Sequence, residues 1–219
     1  YTGDGNSSGN VGTGLRSTQP LDWVIVKRTD STSDWQVGHS ASGQGVNFAY
    51  HLNLNSTDQL SGSSPYHMGT QNATNGDRLY LAGGGLTSSA TYVAYVWQER
   101  PGYSKFGSYT GNGSSDGPFI RLGFRPAWFL QKKTSGTGGW YLFDNKRSGF
   151  NVDNDMLLPN GTDGEYDGQT YPRLDFVSNG VKWRDSGSSV HNASGATYVY
   201  MAFAEQPGFT NFDTFANAR

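Results

Sequence analysis

A second half that repeats the first constrains this chain more than any other feature. Tyr1-Thr2-Gly3-Asp4-Gly5 returns as Tyr109-Thr110-Gly111-Asn112-Gly113. Pro20 to Trp23, running into Val24-Ile25-Val26-Lys27, returns as Pro126 and Trp128 running into Phe129-Leu130-Gln131-Lys132. Trp35 returns as Trp140, Ala90-Thr91-Tyr92-Val93 as Ala196-Thr197-Tyr198-Val199, and Glu99 as Glu205. These anchors stay in order at a spacing of roughly 105 residues, the signature of a duplicated structural unit. They divide the 219 residues into a first unit at 1–102, a second at 103–208 and a C-terminal strand or tail at 209–219. Phe212-Asp213-Thr214-Phe215 matches Phe106-Gly107-Ser108-Tyr109, so each unit is expected to follow a Phe-x-x-aromatic preamble. The chain opens at Tyr1 with neither that preamble nor an initiating Met, which predicts a parent protein continuing upstream.

The convincing local signals are all strands. Residues 22–28, 91–98, 127–133 and 197–204 are rich in β-branched and aromatic side chains and are bounded by Gly, Pro or Ser. Val46, Phe48, Tyr50, Leu52 and Leu54 alternate with period two, which predicts one strand with a face on the core. Tyr92 to Trp97 and Tyr198 to Phe203 are apolar at nearly every position, which predicts central strands covered on both faces. With 31 Gly and no capped helical periodicity, the expected fold is all-β: two tandem β-sandwich units of jelly-roll type with essentially no helix. One continuous sandwich with pseudo-twofold halves is the alternative.

The quoted motifs resemble a module that recurs in virion proteins of tailed bacteriophages, particularly marine ones. Such a unit opens with aromatic-Thr-Gly-Asn/Asp-Gly, here Tyr1 to Gly5 and Tyr109 to Gly113. It continues as Gly-Leu-Gly-Phe-x-Pro before an apolar strand ending in Lys, here Leu122-Gly123-Phe124-Arg125-Pro126 to Lys132 with a looser copy from Gly14 to Lys27, and closes as Ala196 to Glu205 does. The resemblance implies an extracellular tail-fibre, tail-spike or other virion surface protein with a lectin-like sandwich; host-surface glycan binding is the leading functional reading, and the extra strand preamble at Phe212 to Phe215 predicts assembly as a homo-oligomer or with other virion subunits. The resemblance carries over no defined functional residues. Purely architectural decoration and polysaccharide depolymerisation are the competing readings.

Chemistry in the residues themselves is sparse. A net charge of -2 offers no basic stripe for nucleic acid, no apolar run is long enough for a membrane helix, and Cys is absent. His39, His51, His67 and His191 are scattered without metal-ligand spacing. Asp153, Asp155, Asp163, Glu165 and Asp167 lack the spacing of a calcium loop, so a solvated acidic loop is favoured over a calcium site. Gly83 to Gly85 lacks the Lys-Ser/Thr of a phosphate loop and reads as a turn. No catalytic residues, metal ligands or cofactors are assigned, and the chain is read as a non-enzyme. Six Asn-x-Ser/Thr sequons, at Asn6, Asn55, Asn72, Asn112, Asn160 and Asn192, read as polar turns.

The duplication is its own control, because residues matched in both copies build the common fold. Trp23, Trp128, Trp35, Trp140, Tyr92 and Tyr198 are expected as core aromatics, and Glu99 and Glu205 as structural groups at strand ends. Any receptor contact is then placed on the unmatched loops, at Tyr66, His67, Tyr166 and Tyr171, since binding residues concentrate on loops held by a rigid scaffold.

Overall fold

Short runs of β-branched and aromatic residues between Gly, Ser and Asn turns leave the backbone one regular option, and almost every regular segment is a strand. The computed structural model describes residues 1–42, 47–48, 50–62, 68–69, 76–149, 151–166, 173–186 and 190–206. Two 3-10 turns, Ser40–Ser42 and Gly83–Leu86, are the helical segments among them. The chain divides into two compact units, Tyr1–Gln98 and Glu99–Arg219.

The first unit contains β1 (Ser8–Gly12), β2 (Trp23–Arg28), β3 (Gln36–His39), β4 (Asn47–Phe48), β5 (Tyr50–Asn53), β6 (Ser61–Gly62), β7 (Met68–Gly69), β8 (Arg78–Ala82) and β9 (Tyr92–Trp97). They form two antiparallel sheets in the orders β6-β5-β3-β2-β9 and β1-β8-β7-β4. Val24, Val26 and Tyr92 from one sheet, with Phe48, Met68, Leu79 and Leu81 from the other, share a buried cluster.

The second unit contains β10 (Ser104–Thr110), β11 (Phe119–Arg121), β12 (Pro126–Lys133), β13 (Trp140–Asp144), β14 (Leu174–Val177), β15 (Gly180–Trp183) and β16 (Thr197–Ala204). Their orders are β10-β16-β12-β13 and β11-β15-β14. Phe129, Phe143, Tyr198 and Tyr200 meet Phe176, Val181 and Trp183 in its core.

Strand pairing reproduces the sequence match residue for residue. Trp23 faces Trp97 and His39, while Trp128 faces Phe203 and Asp144. Arg28 faces Tyr92 as Lys133 faces Tyr198. The Thr29 and Thr91 hydroxyls lie 2.8 Å apart, and so do those of Thr134 and Thr197. The Thr-Gly motif has a steric reason: a Cβ on Gly3 would lie 2.1 Å from the Thr87 carbonyl oxygen, and one on Gly111 2.3 Å from that of Ala193. Each glycine lets the opening segment lie against the turn before the unit's last strand, where the Gly3 amide donates to Ala90 O and the Gly111 amide to Ala196 O.

Several expectations need correction. The alternating segment from Val46 to Leu54 is not one strand: β4 pairs with β7 in one sheet, and β5 pairs with β3 in the other. Phe48 turns inward and lies against Gly38, whose Cβ would meet the Phe48 ring at 2.4 Å. In the second unit Phe143 stands at the position of Gly38 and fills the core itself. Val46 lies outside the described residues. β16 is central, but β9 is the edge strand of its sheet and is touched on its outer side only at its start, by Tyr1 and Thr2 among the described residues. Trp23, Trp140, Tyr92 and Tyr198 are buried, whereas Trp35 and Trp128 are half-buried. Glu99 pairs with Lys105 at 3.5 Å and Glu205 with Arg125 at 3.0 Å, so both carboxylates tie strand ends by charge.

Candidate functional site

Alternation along a strand sends Val24, Val26 and Tyr92 to the core and puts Ile25, Lys27, Tyr95 and Trp97 on the opposite face of the same sheet. On that face three rings form a row. Trp35 and Tyr95 have centroids 6.5 Å apart with planes 25° from parallel, and Tyr95 and Trp97 follow at 6.3 Å and 21°. Tyr95 is 46% exposed, and Trp35 and Trp97 are half-buried. The Lys27 ammonium sits 5.8 Å from the Trp35 ring centre, within cation–π range, and donates to the Ser33 carbonyl.

In the second unit β10 covers β16, and the positions equivalent to Val93 through Val96 are Val199 to Ala202, all buried. Among the described residues β9 is the edge strand of its sheet, and Tyr95 stands open on the face turned from the core. The equivalents of Tyr95 and Trp97 are Met201 and Phe203, so the row belongs to one copy alone.

Beside Trp35 lies a polar rim. The Asn55 side-chain oxygen accepts from the Trp35 amide at 2.9 Å, and its nitrogen donates to Asp34 at 2.9 Å. Asn53 donates to the other Asp34 oxygen at 3.4 Å and accepts from Gln36 at 2.8 Å. Burial holds His51, on the same strand as Asn53, below its ordinary value, with Asp34 opposing. Open aromatic area bordered by amides and a carboxylate is chemistry suited to a ligand with one apolar face and hydroxyl groups at its edge.

The other perturbed groups serve the second unit's interior. His191 is sealed among Tyr141, Phe143 and Trp183, its Nδ1 3.0 Å from Gln131 Nε2, and burial pushes its pKa down to about 3. It is therefore neutral, and the Tyr109 hydroxyl donates to its carbonyl at 2.8 Å. Burial raises Asp153 to about 6, against stabilising bonds from Ser148 and the Asp155 amide.

Of the residues singled out in sequence, Tyr66, His67, Asn72, Asp167 and Tyr171 lie outside the described residues, as does the tail at 209–219. Tyr166 is half-buried, packs against the second core and pairs with Met156 through two backbone bonds of 3.0 Å. Among the described residues no group of three or more His, Asp or Glu side chains is placed to share a metal ion. His39 is buried edge-on against Trp23 and accepts from the Ala41 amide. The aromatic row escapes sequence reasoning because Trp35 has a matched partner and Tyr95 lies in an apolar run. The signal that finds it is the mismatch of Tyr95 with Met201.

A family model described as a domain of unknown function (DUF7483) matches residues 1–207. No curated protein and no solved structure matches the chain.

Proposed function

The chain belongs to the DUF7483 family, and we propose that it is a non-catalytic recognition module that holds host-surface glycan on the row of Trp35, Tyr95 and Trp97. It works as an extracellular part of a virion surface protein of tail-fibre or tail-spike type, assembled with further copies or other virion subunits, and its units are lectin-like sandwiches. The observation that carries the binding reading is the Tyr95 ring, 46% exposed between two near-parallel tryptophans and present in one copy alone. Large apolar rings left open on a sheet face cost solvation unless a partner covers them. The apolar face of a sugar is such a partner, and Asp34, Asn53 and Asn55 stand beside it for the hydroxyls.

The test is a glycan array with the intact chain, followed by binding and host-adsorption measurements on Tyr95→Ala and Trp35→Ala with melting temperatures alongside. Each lost ring should weaken binding about tenfold at unchanged melting temperature for Tyr95→Ala. Binding that survives both substitutions would remove the row from the site. No glycan binding by the wild-type chain would leave the architectural reading.

A further inference from the structure

An edge strand turns every second amide and carbonyl away from its sheet, and the pairing of β9 shows which ones. Tyr92 exchanges both backbone bonds with Tyr1 on the outer side, at 2.9 Å each, while the Trp97 carbonyl accepts from the Asp22 amide on the β2 side. By alternation the amides and carbonyls of Ala94 and Val96 point outward with those of Tyr92, and they meet no backbone partner among the described residues.

The second unit shows what fits such an edge. There β10 lies along β16 with Lys105 opposite Ala202 and Gly107 opposite Tyr200, the places that Val96 and Ala94 hold in β9. Phe106 is 6% exposed and meets Phe203, the counterpart of Trp97, edge-on at 6.2 Å. The segment that makes this strand, Pro101 to Tyr109, returns as Pro207 to Phe215. Pro, Gly and Phe106 are kept as Pro207, Gly208 and Phe212, Tyr103 and Tyr109 become Phe209 and Phe215, and Thr210 and Thr214 stand for Ser104 and Ser108. The change that matters for space is Asp213 in place of Gly107. A Cβ on Gly107 would lie 2.6 Å from the hydroxyl of Tyr200, whose ring is buried and stacked on Phe129. β9 has Ala94 at that place, on an open groove of about 290 Å³, so Asp213 has room beside β9 where it would crowd β16.

We infer that Thr210 to Thr214 of a second copy of this chain adds a strand to the outer edge of β9, antiparallel and in the register of β10. Asn211 then pairs with Val96 and Asp213 with Ala94, and Phe212 stands beside Trp97 as Phe106 stands beside Phe203. Tyr1 already holds the place of Tyr109, so the added strand ends at Thr214. Tail and edge are different surfaces, so the contact is head to tail, and each added copy leaves a free tail and a free edge for the next. This rests on the reading that copies of the chain assemble, and it is independent of glycan binding.

The experiment follows the intact chain by analytical ultracentrifugation and by hydrogen exchange at the Ala94 and Val96 amides. Wild type should associate as concentration rises, and both amides should exchange at least tenfold more slowly when associated than on dilution. Ala94→Pro removes an outward donor and leaves the β2 ladder untouched, and Phe212→Asp removes the anchoring ring. Each should weaken association at least tenfold. Ala94→Tyr restores the ring that crowds Asp213 and replaces Ala94→Pro if melting temperatures show that the proline variant does not fold. Mixing Ala94→Pro with Phe212→Asp should give a one-to-one dimer that grows no further, because one chain supplies the working tail and the other the working edge. A wild type that is monomeric at every concentration overturns the inference together with the assembly of copies, and gives the edge to residues that precede Tyr1 in a longer parent. Association undiminished in the variants keeps the assembly and overturns this surface. Amides protected equally at every dilution would assign the edge to the chain's own tail and overturn the exchange between copies.

Discussion

Tyr109 lies flat on Tyr198, ring centres 4.7 Å apart and planes 9° from parallel. Tyr1 lies on Tyr92 in the same way, at 4.9 Å and 9°. In each unit the first aromatic of the opening motif is thus stacked on the first aromatic of the last strand. Hydroxyls complete the lock differently: Tyr109 donates to His191 O, whereas Tyr1 and Tyr92 donate to the Gly85 and Gly84 carbonyls of the 3-10 turn.

The two stacks should therefore differ in strength. Tyr109 is nearly buried and belongs to the second core, so Tyr109→Ala should cost about 3–5 kcal/mol of unfolding free energy. Tyr1 is half-buried, and Tyr1→Ala should cost about 1–2 kcal/mol. Denaturant midpoints of the two variants decide it, and equal losses would contradict the burial argument.

Replacing either motif glycine should be damaging for reasons of space. Gly3→Ala and Gly111→Ala each push a methyl into a backbone carbonyl and should lose roughly 3 kcal/mol. Gly164→Ala meets nothing within 4 Å and should leave the melting temperature within a degree or so of wild type. Thermal unfolding of the three variants is sufficient, and a tolerated Gly111→Ala would mean that the opening segment is not seated as described.

A groove of about 290 Å³, lined in part by Tyr1, Val11, Leu79, Tyr92, Ala94 and Val96, lies in the first unit where the second is filled. Ala94 occupies the place of Tyr200, whose ring stacks on Phe129. Ala94→Leu should bury added apolar surface there and raise stability by about 1 kcal/mol. Ala202→Leu, at a fully buried position, should destabilise by overpacking, so chemical denaturation is expected to move the two midpoints in opposite directions.

Acid titration sets two buried groups against each other. Asp153 has its folded pKa raised from 3.8 to about 6, so its contribution is present at low pH and is lost as pH rises through that window, on the order of 2 kcal/mol. His191 has its folded pKa lowered from 6.5 to about 3, so its contribution is present above the ordinary value and is lost as pH falls towards 3. Between about pH 4 and 6 the slopes oppose, and wild-type stability should change little there. Asp153→Asn should uncover stability that climbs with pH, and His191→Gln stability that declines with it. Parallel curves for the two variants would show that neither group carries the assigned effect.

Pairing was legible in sequence because both copies keep the residues that set register: the Thr-Gly motif, the Lys-ended strand and the Ala-Thr-Tyr run. Burial was less legible, since it depends on what lies beside a strand and not on the strand alone. Tyr95 and Met201 occupy one register position, yet the first is open and the second is buried, a difference that the shared pattern of the two strands does not reveal. Phe48 and Phe143 fill comparable core space from different strands, so no alignment of the copies pairs them. The burial of Asp153 arises from long-range packing of its loop on β14, which leaves no periodic trace.

The stacking of first aromatic on last strand has a consequence for how the chain matures on the ribosome. Tyr1 waits for Tyr92, and β10 waits for β16, so neither unit can close until nearly all of it has emerged. Contacts of such span make folding slow, in the millisecond-to-second range typical of all-β topologies. Because each unit closes on its own final strand, the first can finish while the second is still being synthesised. Nascent chains halted once Gln98 has cleared the ribosome should therefore already resist protease, whereas chains in which Tyr92 has not yet emerged should not.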